Sequence, residues 1–374
     1  MNLSTLRSNA KQILFNIPGW HTNRKIVVIE SDDWGSIRMP SKEVYDKLLK
    51  AGVRVDNCAY NRVDSLASCD DLTLLFELLN SVKDKNNRGA VITANTIVAN
   101  PDFEKIKNSD FQEYHYEPFV ETLKKYSRHS DIFQLWKQGM KDEVFKPQFH
   151  GREHVNVDRW MNALRAGLTE THLAFNYNLF GISNSITKER RKDFMPALDY
   201  DSLEEKTNKE EILIEGMNLF RSIFGYTSSS FIAPSYVWSS SNEETLSNIG
   251  VKFMQSNPFQ KHPLVGKSKY KRILHYTGQS NNFNQKYLVR NTYFEPTLMG
   301  RKSAVENCLS GIDVAFRWKK PAIIGSHRLN YIGSIDSKNR DENLKLFKSL
   351  LSSIVSRWPD VEFMSSDELG NLMA

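Results

Sequence analysis

Short apolar runs that end abruptly in polar or titratable residues recur along this 374-residue chain, and they constrain its fold more than any other feature. The first is Ile26-Val-Val-Ile29, which leads into Glu30-Ser-Asp-Asp-Trp-Gly35. β-Branched residues in a row read as a buried strand. Two adjacent carboxylates, Asp32 and Asp33, at the end of such a strand need a partner, because desolvating an unpaired charge is costly. The pattern returns at Val144 to Phe149, which ends at His150, and at Ser229 to Ala233, which ends at Pro234. It returns again at Ala322 to Gly325, just before His327.

Helical stripes separate these runs. Leu72, Leu75, Leu78, Leu79 and Val82 predict a helix over 71–82, followed by a strand over 90–97. Val157, Trp160, Met161 and Leu164 mark another helix. Asn208 with Glu211 predicts a capping box, opening a helix that turns Leu213, Met217, Phe220 and Phe224 inward. Ser241 with Glu244 opens a further helix, which Gly250 closes. Strands are expected at 251–255, 287–291 and 361–364, with helices marked by Val305 to Phe316 and Leu344 to Trp358.

Six to eight βα units imply parallel strands covered by helices, in a barrel or an open doubly wound sheet. Every candidate site residue follows a strand, and in a barrel those strand ends converge on one face. That regularity favours an α/β fold of the distorted (β/α) barrel kind. It is expected to be one domain over residues 25–370, with excursions near 171–206 and 257–286. Residues 1–24 read as an N-terminal amphipathic segment, with Leu3, Leu6, Ile13, Leu14 and Phe15 interspersed with Arg7 and Lys11.

Composition excludes several classes. A formal charge of +6 on a chain this long is too small an excess to indicate nucleic acid, and no basic run or zinc-finger spacing adds to it. Three cysteines, Cys58, Cys69 and Cys308, form no disulfide framework. No stretch of 18 apolar residues exists, so no transmembrane segment is expected and the expected location is cytoplasmic.

The chemistry rests on combination. His150 and His154 stand four apart in His150-Gly-Arg-Glu-His154. Two imidazoles plus a carboxylate, with open positions left over, suit a catalytic divalent metal, zinc above all. Nine histidines make some such pair a chance event in about one chain in five, so the spacing alone says little. Asp32-Asp33 alone reads equally as a helix cap. Together they are more specific, since both sets follow apolar strands and adjacent strand residues point in different directions. One carboxylate can then bind metal while the other moves a proton. A lone His327 is more often structural, but at a strand end it is placed to protonate a leaving group.

This set of residues resembles the polysaccharide deacetylase family, the NodB-homology group of carbohydrate esterases. Asp32-Asp33 matches the family's first motif, His150 and His154 its second, Phe231-Ile-Ala-Pro-Ser-Tyr-Val-Trp238 part of its third, and Ile323-Ile-Gly-Ser-His327 its last. The motifs occur in the family's order over about residues 25 to 370. The resemblance implies a distorted (β/α) barrel that removes acetyl groups from sugars with a divalent metal. Asp32 would be the general base, Asp33, His150 and His154 the metal ligands, and His327 the acid. Trp34, Pro234, Tyr236 and Trp238, with Tyr331, would meet the sugar, and the Tyr236 backbone N–H would help hold the oxyanion. An acetylated carbohydrate from envelope polysaccharide synthesis is the implied substrate, and the oligomeric state is left open.

Three departures matter. Gly151 replaces the Ser or Thr of the second motif, Ile232 replaces the Arg that pairs with the base, and the fourth motif's acid and Trp are missing. Arg290 and Arg328 are the candidates for the missing charge. These gaps keep two alternatives open: hydrolysis of another C–N or glycosidic bond on the same barrel, or a catalytically silent carbohydrate-binding protein.

Overall fold

The computed structural model describes residues 16–126, 132–188, 192–267 and 269–373. Residues 1–15 of the expected amphipathic segment lie outside the described residues. Nine strands form the main sheet: β1 (Lys25–Trp34), β2 (Ile92–Ile97), β3 (Phe145–Gly151), β4 (Ser230–Ile232), β5 (Phe253–Ser256), β6 (Lys286–Val289), β7 (Thr292–Tyr293), β8 (Ala322–His327) and β9 (Val361–Met364). Their order is β6-β5-β4-β3-β2-β1-β8-β7, with β9 also paired to β1. Every pairing among them is parallel.

The two ends of that order are neighbours in the chain. Arg290 N–H donates to the Ser256 carbonyl on β5, and Asn291 N–H donates to the Ile323 carbonyl on β8. One bent segment, 286–293, thus touches both ends of the sheet and curls it into a barrel. Helices pack outside, as parallel sheets require. Val27 and Ile29 face that outer layer, in a core with Leu72, Leu309, Phe347 and Leu351.

Alternation on β1 turns Ile26, Val28, Glu30 and Asp32 the other way, into the barrel. The interior is layered. At the bottom Ile26, Val28, Phe253, Leu288 and Ile323 form an apolar layer plugged by Leu369 and Met373 of the helix Ser366–Met373. Burying each such side chain contributes roughly 1.5–3 kcal/mol. Two residues further along the same strands the layer becomes polar, with Glu30, Asp32, Asn95, Gln255 and Arg290 all buried. Asn95 Nδ2 donates to Gln255 Oε1 at 2.8 Å, across the width of β3 and β4.

Two helix starts differ from expectation. The helix expected to open at Asn208 spans Leu203–Phe224, capped by Ser202, whose side chain accepts from Glu205 N–H. Its first residues, Leu203 to Thr207, are mostly polar, so they leave no apolar stripe to read. The next helix, Ser240–Asn248, is capped by Ser239 in a reciprocal box with Asn242, not by Ser241 with Glu244. The two expected excursions are the stretch around the helix Thr169–Asn176 and an antiparallel hairpin of Phe259–His262 with Lys271–Leu274. Among the described residues no helix is long and apolar enough to cross a membrane.

Candidate active site

Two irregularities in neighbouring strands aim the site. Between Ser31 and Trp34, β1 holds one more residue than β2 does between Ala94 and Thr96. Between Phe149 and Gly151, β3 holds one more than β2 does between Thr96 and Ile97. Such bulges re-aim side chains. Asp32 and Asp33 lie in the first and His150 in the second. Asp33 takes φ 74, a left-handed value uncommon for a residue with a side chain, and so points away from its neighbour. Gly151 follows His150 at φ 128, a conformation that other residues rarely adopt. The turn explains why Gly stands where the family has Ser or Thr.

Asp33 turns toward the histidines. Its Oδ1 lies 3.5 Å from His150 Nε2 and 3.2 Å from His154 Nε2. His150 Nδ1 donates to the Ile232 carbonyl at 2.8 Å, which fixes the tautomer and leaves the Nε2 lone pair free. Among the described residues that Nε2 is buried with no hydrogen-bond partner, and so is His154 Nδ1. Ligand atoms from the three residues lie within 4.8 Å of one another. Burial holds the His154 imidazole below its usual range, with Asp33 opposing, and so favours the neutral, ligating form. Burial raises the Asp33 carboxyl, but Arg38 and His154 outweigh it and hold it well below the usual range. An ionised carboxylate and two imidazoles, each with an orphaned ring nitrogen, fit a divalent cation.

Arg38 holds the other side of Asp33, with Nη2 3.3 Å from Oδ2. Arg38 Nε in turn lies 3.6 Å from Asp64, which accepts two bonds from Arg328 at 3.1 Å each. Arg328 therefore steadies Asp64 and makes no bond to Asp32 among the described residues.

Asp32 turns toward Arg290. Arg290 donates through Nη1 to Oδ2 at 2.8 Å and through Nη2 to Oδ1 at 2.6 Å, while its Nε donates to Glu30 at 2.7 Å. Glu30 and Asp32 share a face of β1, so one guanidinium spans both. Arg290 reaches them across Gly325, where a Cβ would lie 2.7 Å from Arg290 Cδ. The charge absent at Ile232 is thus supplied from the β6–β7 junction. Burial works against ionised Asp32, but Arg290 holds its carboxyl down to about 2.

His327 Nε2 stands 3.8 Å from Asp32 Oδ2, and its Nδ1 bonds Glu295 at 2.5 Å. Glu295 is itself held by Asn330 Nδ2 at 2.7 Å. Burial lowers the imidazole, but Glu295 and the two aspartates outweigh it and raise it to about 9. Glu295 thus supplies a carboxylate beside His327 that the sequence motifs did not reveal. Sequence reasoning missed it because Glu295 precedes Pro296 in a short turn and carries no motif; only its position after β7 hinted at the site.

The site residues line a cavity of about 360 Å³, together with Arg38, Tyr60, Ser235, Tyr236 and Lys261. Five sequence expectations fail here. Trp34 is 1% exposed, edge-on to Trp136 and Phe145, with its Nε1 on Ser31, because the bulge turns it into the helix layer. Trp238 is fully buried, with Nε1 on Glu243, and Tyr331 is buried against Ser326. None of the three has a face to offer a sugar. Pro234 is buried behind Ala233 and Ser235, which form the wall instead. Tyr236 does line the cavity, but its N–H is held by the Ala233 carbonyl at 3.0 Å and is not free for an oxyanion. Its hydroxyl accepts from Arg290 at 2.9 Å. Tyr60, edge-on to His327 at 5.5 Å, is the second aromatic wall.

No protein-family model matches the chain, and no curated protein is similar to it in sequence. Among solved structures, several neighbours covering most of the chain are polysaccharide deacetylases, at about 10% identity. One from Mycobacterium smegmatis, provisionally assigned as such, shares 10% identity over 95% of this chain and 92% of its own, with a TM-score of 0.44. A protein from Parabacteroides distasonis, provisionally assigned as a glycoside hydrolase/deacetylase, shares 9% over 95% and 72%, with a TM-score of 0.49. The 4-alpha-glucanotransferase of Thermococcus litoralis shares 10% over 92% of this chain, with a TM-score of 0.46. This chain spans 40% of that enzyme's length. All three scores lie below 0.5, so the functional reading rests on the geometry of the site.

Proposed function

We propose that this protein is a metal-dependent deacetylase that hydrolyses an acetyl amide or ester on a carbohydrate. The observation that carries the reading is the bulge in β1, which gives two adjacent buried carboxylates separate partners. Asp33, His150 and His154 would hold the cation, with zinc favoured by the two-nitrogen, one-oxygen donor set. A divalent cation there would polarise an acyl carbonyl and acidify a water, so that even a weakly basic carboxylate accepts a proton. Asp32, fixed by Arg290 and Asn95, takes that proton. His327, kept protonated by Glu295, gives one to the departing amine or alkoxide. Tyr60 and Tyr236 flank the cavity and would position the sugar.

The two alternatives drew on the absent third-motif arginine and fourth-motif acid. Arg290 bonds Asp32 and Glu295 bonds His327, which supports hydrolysis of an acetyl group over a silent site. The test incubates metal-loaded protein with acetylated sugars and measures acetate, with mass spectrometry of the products. Acetate release that depends on added metal, and falls at least about 100-fold in Asp32→Asn, is expected. Chain cleavage without acetate, or full activity in Asp32→Asn, rejects the assignment.

A further inference from the structure

The five-residue turn Ile232–Tyr236 touches three parts of the site. The Ile232 carbonyl holds His150, the Tyr236 hydroxyl accepts from Arg290, and the Ser235 carbonyl accepts from Lys261 Nζ at 3.3 Å. Ser235 and Tyr236 both sit at positive φ, 58 and 59, a strained pair that persists only where the surroundings hold it. The first and second contacts belong to the chemistry already described. The third does not.

Lys261 lies on the hairpin over the cavity and lines it. It is half-buried, and among the described residues no carboxylate comes within ion-pair distance of its ammonium. Asp193, which lines the same cavity and favours the ammonium against the pull of burial, is exposed and accepts from Met195 N–H at 3.0 Å. Directly across the hairpin stands Arg272, a like charge in register, with His262 opposite Lys271 beside them. Like charges facing each other across two strands destabilise a hairpin. An unpaired cation in a cavity wall, backed by a second cation, is the arrangement that an incoming anion completes. Of Lys261, Lys267, Lys269, Lys271 and Arg272, which lie close together in the sequence, Lys261 alone lines the cavity.

We infer that Lys261 selects a substrate carrying an anionic group, a carboxylate or a phosphate, beside its acetylated position. The inference rests on the deacetylase reading for the reaction but not for the anion. Lys261 contributes to recognition, in a cavity whose other cations are committed: Arg38 to Asp33 and Asp64.

The test is calorimetric binding to the metal-loaded Asp32→Asn protein, which reads recognition without turnover. The probes are N-acetylglucosamine, its 1-phosphate and the corresponding N-acetylated uronic acid. At least one anionic probe is expected to bind about tenfold or more tighter than the neutral sugar, a gain of about 1.4 kcal/mol. Adding Lys261→Met is expected to collapse that ratio toward one, and Lys261→Arg to restore most of it. A stronger phosphate than uronate response assigns the anion to a phosphate ester, and the reverse assigns it to the sugar's own carboxylate. Equal binding of all three probes, or an equal loss for all three in Lys261→Met, overturns the inference. Acetate release by the metal-loaded wild-type protein from neutral sugars, with no anion preference, rejects it while leaving the deacetylase reading intact. Anion-selective binding with no acetate release by the wild-type protein from any probe supports it and rejects the deacetylase reading instead.

Discussion

The two carboxylates at the end of β1 are neighbours in sequence, yet their surroundings are opposites. Asp32 is closed: both oxygens are held by one guanidinium, Asn95 adds a third bond, and Glu30 shares the same arginine. Asp33 is open: Arg38 reaches one oxygen at 3.3 Å, while the other faces two imidazoles, each with an orphaned nitrogen among the described residues. The first half satisfies its charges from within the chain. The second is a group that could hold a cation. On the proposed reading, a site divided in this way would keep Asp32 oriented before metal arrives and leave Asp33 and the two imidazoles free to receive it.

The largest effect should come from breaking the closed half. Arg290→Met leaves Asp32 and Glu30 buried without their counter-charge, and removing one partner of such a group costs about 3–5 kcal/mol. Urea unfolding reads this directly. Arg290→Lys should lose less, yet not recover the wild-type value, because an ammonium cannot make the paired bonds of a guanidinium. A loss under about 1 kcal/mol in Arg290→Met would mean that the clamp does not hold this half together.

Breaking the open half should leave the apo protein almost as stable and abolish its response to metal. In wild-type protein a cation at 100 times its Kd adds about 2.7 kcal/mol, so Tm rises on loading and falls with chelator. His154→Ala removes one ligand, and its Tm should ignore both additions. Equal Tm shifts in variant and wild type would place the metal elsewhere.

A smaller effect tests whether Arg38 orients the open carboxylate. By holding Asp33 Oδ2 it leaves Oδ1 to the imidazoles. Arg38→Met should weaken metal binding by about 10–100-fold, the range for such supporting groups. Asp64 keeps its two bonds to Arg328, so the fold should be little affected. Competition against a chelator of known affinity gives the number, and an unchanged Kd would deny Arg38 that part.

How much of this was legible in the sequence follows from distance along the chain. Asp32, Asp33, His150 and His327 each end an apolar run, and a strand end is a local signal. The barrel was legible for the same reason, since alternating runs and stripes specify parallel strands. Arg290 was one of two candidates, and nothing local separates it from Arg328. The choice depends on how the bent 286–293 segment closes the sheet and on Gly325 leaving room. Trp34 and Trp238 misled because adjacency to a motif does not reveal a side chain's direction. One added residue in β1 is enough to turn Trp34 from the cavity to the helix layer.

The smallest effect concerns how the closed half extends to the acid. Glu295 bonds His327 Nδ1 and, with the two aspartates, raises the imidazole to about 9 against the pull of burial. That is above the ordinary 6.5 of a free histidine, so the proton's contribution to stability is fully present below about pH 6.5. It is lost as pH rises through about 9, and the acid needed for leaving-group departure is lost over the same interval. The rate should therefore hold level to about pH 8 and fall through about 9. In Glu295→Gln the neutral amide cannot oppose burial, and the falling limb should move down by about one unit or more. A pH–rate profile of both proteins decides it. If the limb stays at the same pH, Glu295 orients the ring without holding its proton, and the closed half ends at Asp32.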